Sequence, residues 1–221
     1  MEVLVPFSTD RPKSRLSAVL DAEERDRFAR AMLRDVLDAV DAAGGDPRVL
    51  ATGPLDEDVR CRVTVDDRPL TEAVNAALDA RLGGGDRGGD AERVAVVMAD
   101  LALATPERLR DLFDAGREAD LALAPGRGGG TNAFVAGDPR FSVDYHGASY
   151  LDHREIAASA GLSVAVVDSY RLATDVDEPA DLAEVLIHAA ADADAGRAAA
   201  WLADAGFALD TADGRVGVRR E

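Results

Sequence analysis

The sequence predicts an α/β fold with a mostly parallel central sheet and helices on both faces. Strand-length apolar runs alternate with helix-length periodic segments, a pattern typical of βαβ units. The run RVAVVMA at 93–99 is continuously apolar, as expected of a strand that is covered on both faces. A chain of 221 residues is long enough to bury the core that such a fold needs.

The strands are predicted where short apolar runs end at polar or turn-forming residues. They lie at 2–7, 48–52, 61–65, 93–99, 119–125, 133–137 and 162–168. Helix-like segments separate most of these runs, which favours parallel pairing because parallel strands need long crossover connections.

The helices are predicted from apolar residues at helical spacing and from start and stop signals. From Asp21 to Ala42 the apolar residues recur every three or four positions, and Gly44-Gly45 ends the helix. Further helices are predicted at 70–82, from Pro106, from Ser149 to Ala160 and after Pro179. The glycine-rich segment GGGDRGGD at 83–90 is predicted to be a flexible loop without a chemical role.

The last thirty residues are predicted to form a helix around Trp201 and a hairpin. The hairpin sequence is FALDTADGRVGV, and Asp213-Gly214 supplies its turn. We treat residues 191–221 as an extension that belongs to the same domain as residues 1–190.

The composition limits the partners and the compartment. The net charge is −17, with carboxylates in almost every segment, so binding to nucleic-acid phosphates is not expected. Acidic proteins from cells with high internal salt have this composition, because salt screens the repulsion. No apolar run approaches the ~20 residues that span a bilayer, so no membrane association is predicted. The single cysteine, Cys61, and the absence of a basic signal-peptide start predict a reducing cytoplasm.

Acidic residues at the predicted carboxyl end of the sheet are candidates for a metal site. Asp100 follows the strand at 93–99, where a carboxylate is costly unless it is paired, hydrogen-bonded or metal-bound. Asp175 and Asp177 lie two apart, so in an extended segment both could face one cation. Mg²⁺ prefers such oxygen ligands. The alternatives are a loop or capping role for Asp100 and helix capping by Asp177.

Two further segments are candidates for anion binding. The segment GRGGGTN at 126–132 could approach an anion closely, because glycine exposes backbone N–H groups and Thr131 adds a hydroxyl. A flexible connector is the alternative. Ser149 could present a helix N-terminus to an anion, and plain N-capping is its alternative. His146 and His153 lack a third ligand at zinc spacing, so no zinc site is predicted.

Lys13 is the only lysine in the chain, and arginine supplies the rest of the 25 basic residues. A lysine ammonium is a compact, mobile charge that can follow a phosphate whose geometry changes during a reaction. A solvated surface lysine is the alternative. In a chain that otherwise uses arginine, the retained lysine indicates a specific role.

Together these motifs resemble those of the 2-phospho-L-lactate guanylyltransferases. The shared segments are VPF, RPKSRLS, ERDRFARAMLRDVL, LTEAVNAAL, VMADLAL, APGRGGGTNAF, the GAS segment with His153, and ATDVDEPADL. The resemblance covers residues 1 to about 190 in the family's order, and the last thirty residues extend beyond it. It implies a Rossmann-like nucleotide-diphospho-sugar transferase fold, a nucleotidyltransferase domain at 1–190 and a homodimer.

The resemblance also implies an activity and roles for particular residues. The family joins GMP from GTP to 2-phospho-L-lactate, or to phosphoenolpyruvate in bacterial relatives, and releases pyrophosphate in coenzyme F-420 biosynthesis. Asp100, Asp175 and Asp177 match its metal-binding aspartates, with Mg²⁺ as the expected ion. Lys13 matches a Pro-Lys element that approaches the nucleotide phosphates, with Arg15 as its helper. Lys13 and Asp100 are therefore the expected catalytic residues.

The remaining matches concern the phosphorylated three-carbon acid and the base. Thr131 and Ser149 match the acid-binding positions, and Asn132, which follows Thr131, is a further substrate-binding candidate. Where relatives place a substrate-contacting glycine three residues before that serine, this chain has His146. Either the role shifts to Gly147, or this wall of the pocket differs. Asn75 is a candidate contact to guanine, with a helix-surface asparagine as the alternative.

Three other functions remain compatible with the sequence. The same fold could use phosphoenolpyruvate, or a sugar phosphate or molybdopterin, as the acceptor. A non-catalytic nucleotide-binding or metal-binding protein is the third, but it leaves Lys13 and the strand-end carboxylates without a purpose.

Overall fold

The computed structural model describes residues 1–10, 12–55, 59–83, 93–191, 196–212, 214 and 216–220. Within these residues the chain forms a seven-stranded sheet and a separate two-stranded sheet. The strands are β1 (Glu2–Phe7), β2 (Asp46–Ala51), β3 (Arg62–Val65), β4 (Val94–Val97), β5 (Leu121–Pro125), β6 (Thr131–Ala136), β7 (Val164–Val166), β8 (Phe207–Asp210) and β9 (Gly217–Arg220). Every predicted strand therefore has a counterpart.

Seven α-helices and one 3₁₀ turn (Ser14–Ala18) are found in the described part of the chain. The helices are α1 (Ala22–Ala42), α2 (Leu70–Leu82), α3 (Pro106–Glu118), α4 (Ser149–Ser159), α5 (Tyr170–Ala173), α6 (Pro179–Ala191) and α7 (Arg197–Asp204). The 3₁₀ turn and α5 were not predicted, since neither is long enough to show apolar periodicity. Except for Gly83, the segment 83–90 lies outside the described residues, as does Asp213 of the predicted hairpin turn.

The central sheet has the strand order β3-β2-β1-β4-β6-β5-β7. Every neighbouring pair is parallel except that β6 runs antiparallel to both β4 and β5. The prediction of a mostly parallel sheet is confirmed. Because β6 is reversed, its first residues lie at the edge where β4 and β5 end, which brings the 126–132 segment to the carboxyl edge of the parallel strands.

Alternate residues of the strands face two separate apolar layers. In β1, Val3, Val5 and Phe7 belong to the cluster that packs beneath α1, α3, α6 and α7. Leu4 belongs to the second cluster, which packs beneath α2 and α4. The two-residue repeat of a strand therefore divides the core, and helices cover both faces as predicted.

The C-terminal helix and the two-stranded sheet pack on α1. The rings of Phe28 and Trp201 lie 5.3 Å apart between their centroids. Arg220 of β9 forms an ion pair with Glu24 at 2.5 Å. Residues after 190 thus share the core of the preceding residues, and the boundary at residue 190 stays a prediction.

Among the described helices, none combines the length and apolar character needed to cross a membrane.

Candidate functional site

Three chain segments meet at the edge of the sheet where β1 and β4 end. The N–H of Val176 donates to the carbonyl oxygen of Asp100 at 3.2 Å, which ties the segment before α6 to the segment after β4. Lys13, which follows β1, reaches the same point with its side chain. The sequence placed Asp175 and Asp177 at the end of a strand, but α5 lies between β7 and these residues. The hydrogen bond to Asp100 brings them to the edge.

The Lys13 ammonium lies between two carboxylates. Its Nζ donates to Asp100 Oδ2 at 2.6 Å and to Asp177 Oδ1 at 2.7 Å. Arg15 Nη1 donates to the other oxygen of Asp177 at 3.0 Å. The Lys13 side chain is 11% exposed, whereas that of Arg15 is 68% exposed. The surface-lysine alternative for Lys13 is therefore wrong.

The backbone at Lys13 is in the left-handed region. With φ 54° and ψ 43°, it is the one non-glycine residue with a positive φ in the described part of the chain. This conformation costs on the order of 1–3 kcal/mol and persists where surrounding contacts determine it, often at functional sites. The residue in this conformation has its ammonium between Asp100 and Asp177, at the end of the sheet that we call the acidic edge (Asp100, Asp175 and Asp177).

Burial and charge act on Lys13 in opposite directions. Burial alone would lower the pKa of its ammonium, but the charges of Asp100 and Asp177 and the hydrogen bonds to them raise it above the ordinary value. Lys13 is therefore a fixed positive charge at neutral pH, and it is not a proton donor or acceptor there.

A cavity of about 190 Å³ opens beside these charges. Phe7, Met32 and Met98 contribute apolar wall, and Lys13, Asp100 and Asp177 contribute the charged wall. Such a combination of apolar surface and a few charged groups is typical of a small-molecule site.

Asp100 and Asp175 have properties that suit carboxylates of a cation site. Asp100 Oδ1 is buried and has no hydrogen-bond partner within the described residues. Burial and then the charge of Asp100 raise the pKa of Asp175, against the hydrogen bond from Asn132. Among the described residues, no three His, Cys, Asp or Glu side chains are arranged so that they could hold a metal ion as they stand. The donor set nonetheless fits a divalent cation that prefers oxygen, because a buried carboxylate oxygen without a partner is costly.

Helix capping at α6 is carried out by Asp181 rather than by Asp177. Asp181 Oδ2 accepts from the N–H groups of Asp177 and Glu178, at 3.0 and 2.8 Å. The Asp177 carboxylate instead accepts from Lys13 and Arg15. The capping alternative for Asp177 is therefore wrong, and its carboxylate faces the acidic edge.

A second polar cluster lies at the start of β6. The N–H of Thr131 donates to Ser149 Oγ at 3.0 Å, and Thr131 Oγ1 lies 2.9 Å from His153 Nδ1. The N-cap of α4 is Ala148, and Ser149 is the first helical residue, with its Oγ bonded to Thr131 instead, so the N-capping alternative for Ser149 is wrong. The amide of Asn132 donates to Asp175 Oδ1 at 3.2 Å and links this cluster to the acidic edge.

The glycine loop before β6 closes on itself. The N–H of Gly126 donates to the carbonyl of Gly130, that of Gly129 donates to Gly126, and that of Arg127 donates to Ala173. These three N–H groups are therefore already bonded, and an anion contact by the other glycines of the loop stays a prediction. A Cβ at Gly126 would lie 2.5 Å from Asn132 Oδ1, so this glycine permits the close approach of the Asn132 amide.

Asn75, Gly147 and His146 lie outside these contacts. The Asn75 amide donates to the carbonyl of Val143 at 3.0 Å and accepts from the Val143 N–H at 2.8 Å, so a base contact stays a prediction. Gly147 has φ 51° and open space around its Cβ position, and its expected substrate contact is likewise a prediction. His146 is exposed and pairs with Asp144, whose hydrogen bond raises the pKa of the imidazole.

Comparison with known proteins identifies the family. The family model described as "Guanylyl transferase CofC like" matches residues 1–220. The chain belongs to the CofC-like guanylyl transferases. This membership confirms the fold, the nucleotidyltransferase class and the family that the motifs predicted.

Relatives of this CofC-like chain cover its whole length. It is 74% identical over 221 residues to a 2-phospho-L-lactate guanylyltransferase of Halorubrum lacusprofundi, and both chains are covered completely. It is 60% identical to a protein of the same name from Halomicrobium mukohataei, again with 100% of each chain covered. The last thirty residues therefore belong to the shared pattern, and their expected position outside it is wrong.

The fold of this guanylyl transferase also matches a solved structure. A putative nucleotide-diphospho-sugar transferase from Desulfovibrio desulfuricans G20 superposes with a TM-score of 0.73 at 18% identity. The match covers 92% of this chain and 94% of the other. At this identity the likeness concerns the fold alone, and it confirms the fold that the motif resemblance implied.

The sequence did not reveal two contacts within the site of the CofC-like chain. The Asp181 carboxylate accepts from the main-chain N–H groups of Asp177 and Glu178 and so holds the Asp177 segment. An acidic residue three positions after Glu178, at the start of α6, is a signal that could have been found. The bond between His153 and Thr131 has no such signal, because it depends on the orientation of two elements 22 residues apart.

Proposed function

We propose that this chain transfers GMP from GTP to 2-phospho-L-lactate and releases pyrophosphate, in coenzyme F-420 biosynthesis. Its CofC-like family membership and the names of relatives such as the Halorubrum lacusprofundi protein support this activity. The structural observation that carries the proposal is the pair of clusters at one edge of the sheet. Lys13 and the aspartates suit a nucleotide triphosphate, and Thr131 with Ser149 suits a small anionic acceptor.

The reaction needs positioning more than it needs a base. A phosphate oxygen of the acceptor attacks the α-phosphorus of GTP, and the bond from that phosphorus to the α,β-bridging oxygen breaks. Pyrophosphate leaves with the electron pair. The acceptor phosphate is already ionised near neutral pH, since the second pKa of such phosphates is about 6. The protein therefore contributes orientation and charge neutralisation.

Lys13 supplies the fixed positive charge for this step. Its ammonium lies beside the cavity at the acidic edge, where it would contact phosphate oxygens. Arg15 is exposed at the mouth of the site and adds a second cation. Asp100, Asp175 and Asp177 would hold Mg²⁺, which when bound neutralises phosphate charge and orients the reacting oxygens. The net charge of −17 makes these local cations necessary for two anionic substrates.

Pyrophosphate release from GTP tests the activity directly. We expect release in high salt with Mg²⁺ and 2-phospho-L-lactate, and mass spectrometry should identify the guanylylated acid. Phosphoenolpyruvate and a sugar 1-phosphate serve as competing acceptors in the same assay. A preference for phosphoenolpyruvate would identify that acid, and not 2-phospho-L-lactate, as the acceptor. A preference for the sugar phosphate would contradict the proposal that the acceptor is a small phosphorylated acid. If no pyrophosphate is released with any acceptor, the proposed nucleotidyltransferase activity is wrong.

The substitution Thr131→Val is expected to raise the KM for the acceptor at least about tenfold and to change the KM for GTP little. Valine keeps the shape but lacks the hydroxyl, and a lost hydrogen bond to a charged group costs on the order of 1.5–3 kcal/mol. Steady-state kinetics with each substrate varied separately provides the measurement. Thr131→Ser, which keeps the hydroxyl, is the control. Equal changes in the KM for the acceptor and the KM for GTP would contradict the assignment of Thr131 to the acceptor site.

The homodimer and the cytoplasmic location stay predictions of the resemblance and the composition. Analytical ultracentrifugation in high salt would decide the first, with a dimer mass as the expected result. A monomer at micromolar concentration would contradict it.

A further inference from the structure

We infer that His153 is a positioning residue that orients the hydroxyl of Thr131 as a hydrogen-bond donor towards the acceptor. The inference rests on the proposed function for its ligand, but its first step concerns the protein alone. His153 is fully buried and lies between the main chain of Asp144 and the Thr131 hydroxyl. The geometry of these two contacts determines which ring nitrogen carries the proton.

The main-chain contact fixes the tautomer. The N–H of Asp144 donates to His153 Nε2 at 3.0 Å, and a donor can be satisfied only by a nitrogen without a hydrogen. Nε2 is therefore unprotonated, and the hydrogen of the neutral ring is on Nδ1. In an imidazolium, the hydrogen on Nε2 would face the hydrogen of the Asp144 N–H, and the two would repel. His153 is thus neutral, in the Nδ1–H form.

The surroundings of the ring support the neutral form. The rings of Phe134, Phe141 and Tyr145 lie edge-on to the imidazole, with centroids 6.3, 5.8 and 5.3 Å away. This apolar enclosure disfavours a charged ring: burial lowers the pKa of His153 to about 4, although Asp152 and Asp144 act to raise it. Above that pH the hydrogen-bond direction does not change.

The tautomer determines the direction of the next bond. Since Nδ1 carries a hydrogen, it donates to Thr131 Oγ1, 2.9 Å away. The Thr131 hydroxyl already accepts, so its own hydrogen is left to be donated elsewhere. The Ser149 hydroxyl also accepts a hydrogen bond, from the Thr131 N–H at 3.0 Å, so its own hydrogen is likewise left to be donated. Both hydroxyls consequently present hydrogens.

Two hydroxyls that present hydrogens select an acceptor-only ligand. An ionised phosphate or carboxylate oxygen has lone pairs and no hydrogen, so it matches both groups. The hydroxyl of a sugar can donate as well as accept, and it gains less from this arrangement. This polarity explains why a buried histidine, rather than an apolar residue, lies beside the Thr131 hydroxyl.

The tautomer is tested first, without any ligand, by long-range ¹H–¹⁵N NMR of the full chain. We expect His153 Nδ1 to have the shift of a protonated nitrogen and Nε2 that of an unprotonated one. The opposite tautomer, or a protonated ring at neutral pH, would overturn the inference. This result is independent of whether 2-phospho-L-lactate is the acceptor.

Two substitutions then separate positioning from stability. In His153→Asn the amide nitrogen can replace Nδ1–H, so we expect a KM for 2-phospho-L-lactate near that of the wild type and a lower Tm. In His153→Gln the amide oxygen can replace Nε2 and keep the Asp144 bond. We expect it to retain Tm better but to raise the KM for the acceptor at least about fivefold, with the KM for GTP unchanged. A KM that follows Tm in both variants would indicate a merely structural role.

The matched control removes a neighbouring bond of the same kind. The N–H of Tyr145 donates to Thr71 Oγ1 at 3.1 Å and holds the same segment to α2. Thr71→Val is therefore expected to lower Tm without raising the KM for the acceptor. In a Thr131→Val background, His153→Gln should add no further increase in that KM. An additive effect of the two substitutions would show that His153 does not act through Thr131.

Discussion

Replacing Asp177 with asparagine is expected to reduce turnover at least about a hundredfold while the protein stays folded. The change removes a charge from the acidic edge, where charge stabilisation by a bound cation is worth several kcal/mol. Helix α6 should persist, since Asp181 and not the Asp177 side chain caps its first turn. Turnover at saturating Mg²⁺ and the thermal unfolding midpoint provide the two measurements.

Glu178→Gln is the matched control for this experiment. It removes a carboxylate charge from the adjacent position, but Glu178 is exposed and contacts Asp181 through its main-chain N–H and carbonyl groups. We expect wild-type turnover from this variant. If Asp177→Asn also turned over normally, Asp177 would have no catalytic or metal-binding role. If Glu178→Gln lost as much activity, the effect would be one of total charge.

The fold was predictable because its elements have local signatures. The helix α2 was predicted with the bounds Leu70–Leu82 that the structure has, and α1 begins after the predicted start residue, Asp21. Alternation of these elements then limits the sheet to a mostly parallel arrangement. The reversal of β6 was not predictable in this way, since a run such as TNAFVA has the same apolar pattern in either direction.

The residues of the site could be predicted from the sequence better than the contacts between them. Asp100 was found because a carboxylate follows a buried strand, and Lys13 was found because the chain contains no other lysine. That Lys13 bonds to Asp100 and Asp177 could not be predicted, because these partners are 87 and 164 residues away. Pairings of this kind depend on how strand ends converge.

Asn75 shows why residue type alone does not predict a role. A polar side chain on a helix suits both solvent and a ligand, and the sequence left both open. The structure gives it a third role, a pair of hydrogen bonds to Val143 that hold the segment leading to Asp144. Only the packing of α2 against residues 141–145 determines this contact, and it is 68 residues distant in sequence.

The substitution Lys13→Arg is expected to lower turnover at least about tenfold, equivalent to ~1.4 kcal/mol of transition-state stabilisation, although the charge is retained. The ammonium is a single donor centre held 2.6 Å from Asp100 and 2.7 Å from Asp177. A guanidinium is planar and wider, and its donors diverge, so it cannot occupy the same point between the two carboxylates. Turnover and KM for GTP give the measurement, with Tm to exclude unfolding.

The control for Lys13→Arg is a swap of arginine and lysine in a partly buried ion pair outside the site. Arg30 meets this condition, because it pairs with Asp26 at 2.8 Å and its side chain is 18% exposed. Arg30→Lys is expected to keep wild-type turnover, since such pairs on a helix contribute only about 0.3–0.5 kcal/mol. A chain that otherwise uses arginine should accept arginine at position 13 if only charge matters there. Full activity of Lys13→Arg would therefore show that the site requires a positive charge and not a lysine.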